Sequence, residues 1–234
     1  KLYMSFKGKD MNEINNWRPI VSLPFFVKIV EIVIIEKIKY KIISDNKIDS
    51  DVQKAHVTSN GVWEHVFELN CLMSYDIKNK CSTPILFLDI KNAFGSVNYK
   101  KLIKILKSQN YPNFLWKYVK KYYKNLICLF NGKQIKWENG LLQGSGLSNI
   151  LFLIYLDYVL KAVVLMWHKM GLVNKDYSPI LTLKKMIRAF VDDIRIKFNE
   201  KTDNIPAMIE ILVLVFGEYG LELNYTKTFI YGYT

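Results

Sequence analysis

The 234-residue chain has little cysteine, almost no arginine, and no glycine-, serine- or proline-rich linker. Its three cysteines, Cys71, Cys81 and Cys128, are an odd number at scattered spacing, with no Cys-x-x-Cys pair and no histidine at a ligand interval. A disulfide framework and a zinc site are not expected, and a reducing compartment is. Arginine occurs only at Arg18, Arg188 and Arg195, so 30 of the 33 basic side chains are lysines. Lysine attracts phosphate as a point charge and does not read base edges bidentately. Against 21 acidic residues the balance is +12, with an isoelectric point near 9.4. That field favours polyanions, and non-sequence-specific contact with a nucleic-acid backbone is the first expectation.

No apolar run is unbroken over a membrane-spanning length. The longest, Ile150 to Trp167, contains Asp157 and Lys161, four residues apart as on one helix face. A buried helix is expected there and no membrane partner. There is no initiator Met, signal-peptide core or lipidation motif, as expected of a piece of a longer protein. No repeat or low-complexity tract marks a second independent domain. Half of the residues are hydrophobic, enough for a substantial core.

Phe26, Ile29, Val30, Val33, Ile34 and Ile38 recur at helical spacing, with Lys28, Glu31 and Lys37 off that stripe. The pattern predicts an amphipathic helix over about 25–43. Helices are also predicted over 60–75, 101–107, from Ile150 onward, and over 206–219. Pro84 to Asp89 reads as a short central strand ending in a carboxylate. Asn131-Gly132, between 126–130 and 134–137, signals a tight hairpin. Met186–Val191 and Ile194–Phe198 read as strands with Asp192-Asp193 at the tip between them, and 228–231 as a last strand. Hairpins are too frequent for a doubly wound sheet. The expected class is α+β, an antiparallel sheet with helices packed on one face.

Two strand ends thus carry acid, Asp89 on one and Asp192 with Asp193 on the other. If the strands are neighbours, three carboxylates crowd one place and repel unless cations neutralise them. Hard oxygen donors favour Mg²⁺. Two such ions about 4 Å apart can activate an attacking hydroxyl and stabilise the leaving oxygen in phosphoryl displacement. That chemistry is nucleotidyl transfer. In the alternative, Asp192-Asp193 only makes a turn and Asp89 only caps the next helix.

Five segments, in order, resemble the successive motifs of reverse transcriptases, most closely those of non-LTR retrotransposons. They are Asn16-Trp-Arg-Pro-Ile20, Leu86-Phe-Leu-Asp-Ile-Lys-Asn-Ala-Phe94, Gly140-Leu-Leu-Gln-Gly-Ser-Gly-Leu-Ser148, Phe190-Val-Asp-Asp193 and Gly220-Leu-Glu-Leu-Asn-Tyr-Thr-Lys-Thr228. The resemblance runs from about Asn15 to Tyr231. It implies an RNA-directed DNA polymerase core with a mainly helical fingers region over about 1–83 and a palm over 84–234, the thumb absent. Asp89 and Asp192 would bridge two Mg²⁺ ions, for which Mn²⁺ could substitute. The Ile90 carbonyl would complete one ion's shell and Asp193 would be the supporting acid.

On the same resemblance, the Phe94 ring would lie beneath the incoming sugar and exclude a 2′-hydroxyl, although a core phenylalanine fits the local pattern equally. Gln143 would contact the incoming nucleotide, with Gly144 allowing close approach. A P-loop reading of 140–146 fails, since no Gly-Lys-Ser/Thr follows. Lys227 would meet the departing pyrophosphate, or be an ordinary surface lysine. Arg18 would touch triphosphate or template, or form an internal salt bridge fixing a turn at Trp17 to Pro19. Lys117, Lys120, Lys121 and Lys124 fall on one helix face interleaved with aromatics, suited to an RNA–DNA hybrid or simply to solvent. The implied partners are an RNA template, a DNA primer and dNTPs, inside the cell and in the nucleus when acting. A telomerase or intron-maturase type of polymerase is the rival within the fold, and a decayed RNA-binding scaffold the rival outside catalysis.

The sequence departs from the family pattern in several places. Gly95 stands where an aspartate is usual and is expected to serve as a weak helix cap. Leu142, Gly146 and Asn149 replace prolines, which is expected to loosen the glutamine loop. Val191 replaces alanine, read as a small change. Lys54–Asn60 lacks the usual basic, glycine-rich character, and His56 and His65 are expected to face solvent or core and not to be ligands.

Overall fold

The computed structural model describes residues 1–8, 10–45, 47–55, 61–199 and 201–232. His56, Asn60 and the rest of the altered segment after Ala55 lie outside the described residues. In chain order the elements are β1 (Leu2–Phe6), β2 (Trp17–Val21), α1 (Phe25–Ser44), α2 (Gly61–Asn79), β3 (Ile85–Leu88), α3 (Ala93–Ser96), α4 (Tyr99–Ser108) and α5 (Asn113–Lys124). There follow β4 (Ile127–Phe130), β5 (Lys133–Lys136), α6 (Gly146–Lys169), α7 (Pro179–Met186), β6 (Ile187–Phe190), β7 (Asp193–Lys197), α8 (Ile205–Glu218) and β8 (Phe229–Tyr231). The class is α+β. The chain forms two units, residues 1–40 with 94–152 and residues 41–93 with 153–234.

In the first unit β1 and β2 pair antiparallel, Met4 opposite Pro19. Proline is tolerated because each strand of a two-stranded sheet is an edge. The turn expected at Trp17 to Pro19 is therefore strand. The hairpin of β4 and β5 turns on Asn131 and Gly132, both at positive φ (48° and 77°), as its dipeptide signal requires. Helix α4 is capped by Asn98, whose Oδ1 accepts from the Lys100 and Lys101 amides at 3.0 and 3.2 Å. Gly95 is not that cap; it sits within the short helix α3.

Helix α1 has the expected extent, but only part of the expected apolar stripe is buried and an acid joins it. Phe26, Ile29, Val30 and Val33 are exposed, whereas Glu31 is buried with Ile34 and Ile38. The reason is electrostatic. The Glu31 carboxylate accepts from Ser145 Oγ at 2.8 Å and from the Gly146 and Leu147 amides, the first residues of α6. A carboxylate at the positive end of a helix satisfies orphan amides and the helix dipole together. Burial nevertheless pushes its pKa above the usual carboxylate range. Apolar residues surround α1 on nearly every side, so periodicity does not select a face.

In the second unit one antiparallel sheet has the order β6-β7-β3-β8. One face is buried through Leu86, Leu88, Ile187, Ala189, Ile194 and Ile196. Helices α6 and α8 contribute buried Leu156, Val163, Met208 and Leu212, and Trp167 Nε1 donates to the Met208 carbonyl at 2.9 Å. The other face carries Phe87, Arg188, Phe190 and Arg195. Helices do not keep to one side of this sheet, because α2 lies against that second face through Glu68.

Helix α6 is long and apolar enough to cross a membrane, but 67% of its most apolar window is buried within the protein. Its Asp157 and Lys161 form the expected pair at 2.6 Å, and Lys161 Nζ also donates to the Lys47 carbonyl at 3.0 Å. It starts at Gly146, earlier than the expected Ile150.

Glu31→Ala is expected to lower the unfolding free energy by about 1–2 kcal/mol through loss of the cap. Glu31→Gln keeps an acceptor and should cost less than half of that. Urea denaturation of both variants at pH 7 measures the difference.

Candidate functional site

The site is built on the register of the four-stranded sheet. Strand β3 pairs with β7 so that Leu88 faces Ile194, which brings Asp89, one residue on, to the level of Asp193. Strands β6 and β7 close with Phe190 opposite Asp193, so the two tip residues are Val191 and Asp192. The tip is one residue earlier than the sequence pattern suggests, and Asp193 begins the strand. Val191 has φ +58°, where a β-branched side chain is strained by about 1–3 kcal/mol. Valine here is thus a consequential residue, not a small change from alanine.

The late lysine motif wraps alongside Asp89. Asn224 N donates to the Asp89 carbonyl at 2.8 Å and its Nδ2 to the Asp89 carboxylate at 2.7 Å. Thr228 Oγ1 accepts from the Asp89 amide at 3.3 Å, and Lys227 Nζ stands 3.5 Å from Asp89 Oδ1. Lys91 N donates to the Glu222 carbonyl at 2.8 Å. Ile90 pairs with Leu223 between these two bonds, so the Ile90 carbonyl is not part of that bridge. Two segments more than 130 residues apart in sequence are thereby joined at one carboxylate.

Asp89, Asp193 and Lys227 open onto a cleft of about 510 Å³ between the second sheet face and α2. Asp192 lies on the adjoining turn and does not line it. Among the described residues no three His, Cys, Asp or Glu side chains are gathered closely enough to hold a metal ion. The donor chemistry nonetheless suits a hard cation. Two carboxylates share one cleft, a third is adjacent, and the positive charge at Asp89 comes from a mostly exposed lysine.

The cleft is walled by a charge cluster that sequence reading missed. Arg188 holds Glu68 bidentately (2.7 and 2.8 Å), and Arg195 reaches the same carboxylate at 2.6 Å. Burial opposes the Glu68 charge, but the two guanidinium groups prevail and hold its carboxyl below the ordinary value. Arg188 and Arg195 are directly opposed in the β6–β7 pair. A tip assigned to Val191-Asp192 would have revealed this pairing, and with it the need for an anion. His65, beside them in α2, has its Nε2 buried without a hydrogen-bond partner among the described residues. Burial, then Arg195, Arg188 and Lys54, bring its pKa down to about 4.

Gln53 was also missed, since a lone glutamine has no periodicity to mark it. It is buried and bonded on both sides to Val191. Lys54, at the start of the altered segment, is ion-paired with Glu64.

The remaining candidates belong to the first unit. Phe94 is half-buried and stacked on Phe152 at 4.9 Å. The Gln143 carbonyl accepts from the Val21 amide at 2.7 Å. Gly144 sits at φ +108°, where a Cβ would strike the Val21 carbonyl. The loop is not loosened by its missing prolines, because Leu141 N bonds the Phe94 carbonyl at 2.7 Å and Leu142 is fully buried. Arg18 is exposed on β2. Lys117, Lys120, Lys121 and Lys124 are exposed on α5, with Leu115, Val119 and Tyr123 buried opposite.

The sequence profile described as reverse transcriptase (RNA-dependent DNA polymerase) matches residues 7–232, and the chain belongs to that family. Among its relatives, a transposon TX1 uncharacterized 149 kDa protein of Xenopus laevis is 27% identical over 197 residues, 80% of this chain and 14% of that protein. A retrovirus-related Pol polyprotein from the type-1 retrotransposable element R2 of Nasonia vitripennis is 27% identical over 114 residues, 47% of this chain and 11% of that protein. The chain thus spans about a seventh or less of the length of these relatives.

Solved structures are similar at the level of fold. Telomerase from Candida tropicalis, in complex with a TWJ fragment of telomeric RNA, matches with a TM-score of 0.59 at 14% identity, over 84% of this chain and 33% of that one. The corresponding Candida albicans complex gives 0.59 at 13% identity, over 94% and 40%.

The His65 environment sets a pH dependence. The unfolded chain protonates this ring near 6.5 and the folded one near 4, so stability is expected to fall as pH drops from about 6.5 toward 4. Denaturation midpoints at pH 7, 6 and 5 should show that decline in the wild type, and a flatter profile in His65→Leu.

Proposed function

We propose that the chain is the core of an RNA-directed DNA polymerase from a non-LTR retrotransposon, adding dNTPs to a primer 3′-hydroxyl on an RNA template. The observation that carries this reading is the pairing of β3 with β7, which opens Asp89 and Asp193 onto one cleft beside Lys227 in a chain of the reverse transcriptase family. The four-stranded sheet corresponds to the palm, and residues before about 83 to much of the fingers.

Asp89 and Asp192, with the Ile90 carbonyl and Asp193 in support, would hold two Mg²⁺ ions, with Mn²⁺ as a substitute. Bound there, the ions supply activation of the 3′-hydroxyl and neutralisation of the departing pyrophosphate. Lys227, largely exposed beyond its contact with Asp89, exchanges that partner for the triphosphate. Phe94 excludes a 2′-hydroxyl, and Gln143 with Gly144 meets the incoming nucleotide. Arg18 offers a guanidinium to triphosphate or template. The α5 lysines hold the hybrid by its phosphates, through charge and shape without base readout.

Primer extension on an RNA template with Mg²⁺ or Mn²⁺ tests this reading. Wild-type protein should extend, and Asp192→Ala should extend at least about a thousandfold more slowly. Absence of extension by the wild type with either ion would leave an RNA-binding scaffold. Phe94→Ala should incorporate ribonucleotides that the wild type rejects. Replacing Lys117, Lys120, Lys121 and Lys124 by Gln should flatten the log–log salt dependence of hybrid affinity by roughly three to four.

A further inference from the structure

We infer that Gln53 is a positioning residue for the β6–β7 tip, clamping the Val191 peptide so that Asp192 is presented in one orientation. The inference rests on the catalytic reading of Asp192 given above. Val52 to Lys54 runs parallel to the outer edge of β6: the Ala189 amide donates to the Val52 carbonyl at 2.7 Å, and the Lys54 amide to the Ala189 carbonyl at 3.1 Å. The Gln53 side chain then continues this pairing past the end of the strand. Its Oε1 accepts from the Val191 amide at 3.0 Å and its Nε2 donates to the Val191 carbonyl at 3.2 Å. Oε1 also accepts from the Ala55 amide at 3.0 Å, which fixes the amide plane. Gln53 is 3% exposed, while Val191 is half-buried, so the bonds lie at the edge of the core.

Three features make this a clamp and not an incidental contact. The β6–β7 ladder ends at Phe190 and Asp193, which leaves the tip peptides outside it. Val191 is at φ +58°, a conformation that glycine adopts freely and a β-branched residue does not. Holding both the amide and the carbonyl of that residue opposes rotation of the two peptide groups that flank it, and the direction of the next side chain, Asp192, follows from the second. Only glutamine has a donor and an acceptor at this reach. Glutamate keeps the acceptor but loses the donor, and methionine keeps the volume but loses both.

Single-turnover primer extension on RNA template and residue-resolved amide exchange, both on the full chain, test the clamp. Gln53→Met is expected to lower the burst rate about tenfold at unchanged burst amplitude and hybrid affinity, and to raise the Mg²⁺ concentration for half-maximal rate. Gln53→Glu should lie between it and the wild type. The Val191 amide should exchange about tenfold faster in Gln53→Met while the Ile187 and Ile196 amides stay unchanged.

With Val191→Gly already present, Gln53→Met should cost less than about threefold, because glycine needs no clamp against its own strain. A loss of amplitude at unchanged rate, an unaltered Val191 amide, or an equal cost in the glycine background would overturn the inference. If wild-type protein extends nothing, the polymerase reading fails by itself, and the exchange arm still decides whether Gln53 holds the turn.

Discussion

The antiparallel register of β3, β7 and β6 is the constraint on which the site depends. In a sheet the side chains alternate between faces, so a shift of one residue would send Asp89 or Asp193 to the buried side and bring leucine or isoleucine into the cleft. Leu86, Leu88, Ile194 and Ile196 prevent that shift, because exposing them would forfeit the burial that holds the sheet on its core. The placement of two carboxylates in one cleft is therefore secured by apolar residues that never touch them.

Charge is distributed to match. The lysine surplus lies on exposed faces such as that of α5, where it makes a field without strong local bonds. Two of the three arginines are instead spent on Glu68 at the cleft wall, where a planar guanidinium forms paired bonds that an ammonium does not. Asp89 is held by one amide and one lysine, partners that water or a substrate can replace. The cleft thus combines a wall held by paired guanidinium–carboxylate bonds with a readily exchanged contact at the carboxylate.

Much of the fold was legible in the sequence. The Asn131-Gly132 hairpin, the basic face of α5 and the Asp157–Lys161 pair came directly from local patterns, as did the approximate extents of α1, α2, α4 and α8. The orientation of α1 did not, because its apolar residues surround the axis and a distant helix start selects Glu31. The hairpin tip was misread by one residue, since Asp-Asp is a commoner turn signal than a valine at positive φ. Strands β1 and β2 were missed because they are short and β2 contains proline.

What the sequence alone determined is the chemical inventory and its order: acids at two strand ends, a glutamine loop, a late lysine, a lysine-rich helix, and with them the family. These are local or ordinal properties, carried by residue type and spacing. Only the tertiary structure decided which groups meet, namely Lys227 and Asn224 at Asp89, Glu68 between Arg188 and Arg195, and Gln53 on Val191. Such pairings join segments more than a hundred residues apart, and their geometry is set by strand register and burial, which spacing along a chain does not encode.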